Sequence, residues 1–177
     1  MKNFLSFIKI IRPLNVLSSG VAILFSSLIS DYQGPLDQIL MPILVVVFFT
    51  IGANVLNDYF DYDTDKINRP DRSIVKGDIK IEQALYLSLI SFIIGIYFAL
   101  RLSSDSQIIS LGISLPLLFL YNAKFKNYPL IGNIIVSIII GLSFIYAGVV
   151  FENVKPLIVP SFLAFGLTLI REVVKDI

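Results

Sequence analysis

From Gln38 to Leu56 the chain carries no charged residue, and the nine positions that follow, Asn57 to Asp65, hold Asp58, Asp61, Asp63 and Asp65. This juxtaposition restricts what the chain can become. An uncharged run of that length crosses a bilayer as a helix, because in lipid the backbone must satisfy its own hydrogen bonds. If the helix continues through Asp65, then Asn57, Asp61 and Asp65 recur every four residues along one face, with Asn54 and Asp58 beside them. Carboxylates crowded into about two turns repel one another, and the C-terminal end of a helix macrodipole is unfavourable to anions. The strip demands a cation.

The rest of the composition fits a membrane protein. Of 177 residues, 56% are hydrophobic and only 15% charged, against about a quarter charged in soluble domains. The net charge of +1 carries little information, because in a membrane protein the placement of charge matters more than its sum. No cysteine or histidine is present. Disulfides, thiolate sites, cysteine nucleophiles and imidazole bases are therefore excluded, and any metal is held by oxygen, which selects hard cations such as Mg²⁺.

The expected fold is all-α, a multi-span transmembrane bundle. Met1 to Arg12 is a basic start, and the run from Pro13 to Ser30 is read as a first span, since it lacks the small-residue cleavage pattern of a signal peptide. Further spans are expected at Gln38–Leu56, Gln83–Leu100, Ser106–Ala123, Tyr128–Phe151 and, shortest, Pro156–Ile170, with a long polar segment from Asn57 to Glu82. Alternate loops hold twelve of the Lys and Arg residues on one side and only Arg101 and Lys155 on the other. The positive-inside bias then puts both termini and the aspartate segment in the cytoplasm of an integral, multi-pass cell-membrane protein. It also brings Arg69, Lys124, Lys126 and Arg171 to the membrane face that carries the aspartates, as binding of a diphosphate requires.

The aspartates can be read in several ways. An ordinary acidic run is a solvated loop, but ionisable groups at the end of a span are functional candidates. An EF-hand beginning at Asp61 fails, with Lys66 where the turn glycine belongs and Arg72 where the bidentate glutamate belongs. Carboxylates on a rigid helix beside basic groups suit Mg²⁺ shared with phosphate oxygens. A cation-coupled transporter would place its carboxylates near the midplane on broken helices, and a membrane scaffold would need no cation. Asp63 and Asp71 are read as solvated charges, and Gly52 and Gly95 as helix-packing positions. Asn54 is read first as an interhelical hydrogen-bonding residue and Arg12 as a snorkelling anchor.

Asn57-Asp58-x-x-Asp61-x-x-x-Asp65 resembles the first aspartate-rich motif of the UbiA-type intramembrane prenyltransferases. Arg12-Pro13-Leu14-Asn15, Asn68-Arg69-Pro70-Asp71-Arg72, Tyr121-Asn122-Ala123-Lys124 and Arg171-Glu172-Val173-Val174-Lys175-Asp176 fall in the order of that family. The Arg-Pro-Leu-Asn start, the Asn-Asp-Tyr-Phe-Asp-Tyr wording and the Arg-Glu-Val-Val-Lys-Asp ending look most like its ether-lipid branch, whose members make digeranylgeranylglyceryl phosphate. The homogentisate, quinone and chlorophyll branches share the skeleton.

The resemblance implies nine spans, of which about six are present, in one prenyltransferase domain. The chain ends inside a second aspartate motif that begins at Asp176, so it is expected to be either the N-terminal part of a longer protein, which the in-frame wording favours, or a degenerate copy, and alone to lack half of the metal cage and to be inactive. The implied reaction transfers an isoprenyl group from its diphosphate to geranylgeranylglyceryl phosphate or, alternatively, to an aromatic acceptor. Asn57, Asp58, Asp61, Asp65 and Asp176 would hold Mg²⁺, Asp58 alternatively pairing with a basic neighbour, and Asn57, Arg69, Lys124 and Lys126 the diphosphate. Asp61, Asp65, Lys124 and Tyr121 would act in catalysis, Tyr121 by stabilising an allylic cation, by fixing Lys124, or by neither as an interfacial aromatic. The lipid bilayer is a partner, and no nucleic acid is expected.

Overall fold

A computed structural model describes residues 2–175. It is all-helical among them: α1 (Lys2–Ile11), α2 (Pro13–Ile29), α3 (Leu36–Phe60), α4 (Tyr62–Asn68), α5 (Ile81–Ala99), α6 (Ser104–Gln107), α7 (Leu115–Ala123), α8 (Pro129–Val150) and α9 (Ile158–Lys175). A π-helical stretch, Ile108–Ser114, joins α6 to α7 in one span, and single 3₁₀ turns, Phe125–Asn127 and Lys155–Leu157, precede α8 and α9.

Among the described residues five helices are long and apolar enough to cross a membrane: Leu36–Phe60, Ile81–Ala99, Ser104–Ala123, Pro129–Val150 and Lys155–Lys175. The first span departs from the expectation. α2 reaches that length only together with α1, from which it is bent by 50°. At the bend Arg12 takes a left-handed backbone conformation with φ of 56°, and Pro13, lacking an N–H, starts α2 where no donor is needed. The sixth span runs past Ile170 because the charges that follow neutralise one another, Glu172 bonding both Arg171 and Lys175.

The core is a zipper between α3 and α5. The Ser88 hydroxyl donates to the Gly52 carbonyl at 2.9 Å, and Phe49 and Phe92 pack at 6.0 Å between ring centroids. Gly95 is required at its position, since a Cβ there would stand 2.5 Å from the Phe49 ring. A second cluster sits at the charged end, where Ile10 of α1 packs with Val55, Ile74, Ile79 and Ala84. The polar segment after α4 is thus folded against α1 by apolar contacts. At the opposite end, Asn153 donates to the Ser30 carbonyl at 3.0 Å while the Ser30 hydroxyl donates to the Asn153 carbonyl at 3.3 Å.

Candidate functional site

The aspartate strip does run on through Asp65, with a kink. Asp61 leaves helical geometry at φ −85° and ψ 1°, yet its N–H reaches the Asn57 carbonyl at 2.9 Å and the Asp65 N–H reaches the Asp61 carbonyl at 2.7 Å. The four-residue register therefore survives, and Asn57, Asp61 and Asp65 line one cavity. Its volume is about 1080 Å³, large by the standard of small-molecule sites. Arg12, Arg69, Lys126 and Arg171 stand in the same wall, as do Asn54 and Tyr121, and deeper positions bring Val45, Phe49, Leu118, Ile139, Ile140 and Phe144. The cavity is charged at one end and largely apolar beyond it.

Asp61 is held from two sides. Lys126 donates to its Oδ1, and Asn57 Nδ2 donates to its Oδ2 at 2.8 Å. Gly132 fixes the turn that carries Lys126, for a Cβ there would come within 2.8 Å of the Phe125 carbonyl oxygen. Asp65 is buried, and Arg72 Nε stands 3.9 Å from its Oδ2, beyond hydrogen-bonding distance. Burial pushes the Asp65 carboxyl above the usual carboxylate range; Arg72 and Arg69 pull it back, while Asp61 and Asp58 push it further up. A carboxylate so placed gains from a nearby cation.

The structure does not bring every expected residue to the cavity. Asp58 lies one step off the strip, about 100° around the helix, and faces the other way: Arg12 and Arg72 each donate to its Oδ1 at 2.5 Å, and it is 4% exposed. It is an arginine partner in this structure, and Arg12 is correspondingly more than a lipid anchor. Lys124 is also outside. α7 ends at Ala123, and the exposed Lys124 ammonium lies 5.8 Å from the centre of the Phe125 ring. Asp176 falls outside the described residues. Asn54 donates to the Ile11 carbonyl at 2.9 Å, the interhelical role read for it, and Asp63 and Asp71 are exposed.

The donors facing the cavity fit a hard divalent cation in kind, being carboxylate, amide and hydroxyl oxygens with no thiolate or imidazole among them. Among the described residues no three acidic groups converge into a cage. A metal here would therefore complete its shell from other ligands, such as the phosphate oxygens of a substrate.

A profile of the UbiA prenyltransferase family matches residues 19–177. The chain belongs to this family. Digeranylgeranylglyceryl phosphate synthase of Methanosphaera stadtmanae is 35% identical over 171 residues, covering 97% of this chain and 62% of that protein. The enzyme of the same name from Methanothermobacter thermautotrophicus is 37% identical over 171 residues, covering 96% of this chain and 59% of that protein. A solved structure concerned with digeranylgeranylglyceryl phosphate synthase in membranes matches with a TM-score of 0.89 at 32% identity, over 99% of this chain and 63% of that one. This UbiA-family chain thus spans less than two thirds of the length of these relatives.

Several cavity residues of this UbiA-family chain escaped the sequence reading. Glu172 lines the cavity while paired with Arg171 and Lys175, and Ser110 and Ser114 come from the π-helical stretch. A π segment leaves no mark in hydropathy. Glu172 had a legible signal, its three-residue spacing from Lys175.

Proposed function

We propose that this chain forms the metal-binding and prenyl-binding part of an enzyme that transfers an isoprenyl group from its diphosphate to a lipid hydroxyl, with geranylgeranylglyceryl phosphate as acceptor. What supports this reading above all is one cavity that joins the Asn57, Asp61 and Asp65 strip to Lys126, Arg69 and an apolar interior. The names of its relatives favour the ether-lipid acceptor over an aromatic one.

Mg²⁺, when bound, neutralises charge on the diphosphate and helps it leave. Asn57, Asp61 and Asp65 hold it, with Asp176 and the rest of the second motif as further ligands. Lys126 and Arg69 take up the charge that develops on the leaving group as the allylic C–O bond breaks. The apolar walls seat the prenyl tail and exclude water, which would otherwise capture the allylic cation before the acceptor hydroxyl does. Tyr121, at the same wall, presents its ring to that cation. The mouth of the cavity is taken to face the cytoplasm, following the distribution of Lys and Arg.

The test is diphosphate release from geranylgeranyl diphosphate by a protein carrying this region at the length of its relatives. Release is expected only with Mg²⁺, and Asp61→Asn or Asp65→Asn is expected to lower it by a factor of about 10² to 10³, as loss of one charge-stabilising group does. Undiminished turnover in both variants rejects the site.

A further inference from the structure

A second, smaller recess lies behind the aspartate strip. Its volume is about 220 Å³, and Lys9, Ile10, Arg12, Asp58, Arg72 and Ser73 line it. Its lining carries three cations and the one carboxylate of Asp58, and the next acid, Asp65, stands outside that lining at 3.9 Å from Arg72 Nε. Both guanidinium groups converge on a single Asp58 oxygen at 2.5 Å, which leaves other N–H donors of each fork uncommitted to that carboxylate. Arg72 is 19% exposed and Asp58 4%, so water screens this excess only partly. Pairing two arginines with one aspartate is costly unless a further anion completes the set.

We propose that this recess binds a phosphate monoester. Such a group carries about −1.5 to −2 charges at neutral pH, which matches the excess, and its acceptor oxygens suit arginine forks bidentately. The recess lies against α1, whose Leu5 and Ile8 are exposed on the outer surface, so a lipid headgroup reaches it from the membrane boundary. Arg12 lines both this recess and the main cavity. On the function proposed above, the recess then holds the phosphate of the acceptor while its glycerol hydroxyl points past Arg12 toward the prenyl diphosphate. The phosphate site itself needs no part of that reading.

The experiment uses the 177-residue chain in detergent micelles without Mg²⁺ or any diphosphate. Binding of a dialkylglycerol phosphate, of inorganic phosphate and of a dialkylglycerol phosphocholine is followed by native mass spectrometry. Lys9 is the informative position, because it is exposed on α1 and its ammonium donates to the Asp71 carbonyl at 3.4 Å, a weak bond to give up. Saturable binding of the phosphomonoester lipid is expected, weakened about tenfold in Lys9→Glu, with no saturable binding of the phosphocholine lipid. Arg72→Lys, which keeps the charge but loses the fork, is expected to weaken binding less than Lys9→Glu does. Tighter binding of the lipid than of inorganic phosphate assigns the recess to a headgroup, and equal binding assigns it to the free ion. Absence of saturable binding for both, or binding unchanged in Lys9→Glu, overturns the proposal. Neither metal nor prenyl donor enters this assay, so its failure and a failure of metal-dependent transfer are separate results.

Discussion

At the scale of single residues, one position around the helix separates two kinds of aspartate. Asn57, Asp61 and Asp65 share the cavity, whereas Asp58 faces Arg12 and Arg72. Asp58→Asn leaves two arginines without their carboxylate, and a loss of about 3–5 kcal/mol is expected, as for other broken buried pairs; thermal unfolding in detergent measures it. The two lysines of the 124–127 turn separate in the same manner. Lys126→Gln removes the cation on Asp61 and is expected to cut diphosphate release by at least tenfold, while Lys124→Gln, outside the cavity, stays within about twofold; parallel turnover assays decide between them. The period-four spacing made the strip legible in the sequence. That Lys126 rather than Lys124 reaches it was not, since the 3₁₀ turn that aims the side chain is set by the close packing of Gly132.

At the scale of elements, hydropathy located the spans after the first to within about five residues at each end, because bilayer thickness fixes the length of an uncharged helix. It could not show that Met1 to Arg12 contains a helix, since α1 gains its stability from Ile10 packing on a segment more than sixty residues away. Nor could it show the folded 69–80 segment, which reads as polar but buries Ser73, Ile74 and Ile79. The α3–α5 zipper was foreseen only as small residues at Gly52 and Gly95. Gly95→Ala puts a methyl group where Phe49 lies and is expected to cost about 1–3 kcal/mol, the usual price of overpacking. Reduced thermal stability without change in metal dependence is the expected readout.

At the scale of the whole molecule, charge divides the bundle into two unlike ends. The aspartates, Arg69, Lys126 and Arg171 gather at one, and Arg101 and Lys155 belong to loops at the other. Because the chain has no cysteine, single cysteines report sidedness cleanly: Asp63→Cys is expected to react with an impermeant maleimide only from the cytoplasmic side, and Ser104→Cys only from the opposite side. The reverse pattern would invert the proposed orientation. The far end is fastened by the neutral, reciprocal bonds between Ser30 and Asn153, and the near end by the Lys126–Asp61 ion pair. Salt, protons and phosphates act on charges and leave amide and hydroxyl bonds nearly untouched. On the proposed function, raised salt or phosphate is then expected to loosen the Lys126–Asp61 rim before the Ser30–Asn153 bonds, so that products leave by the charged end.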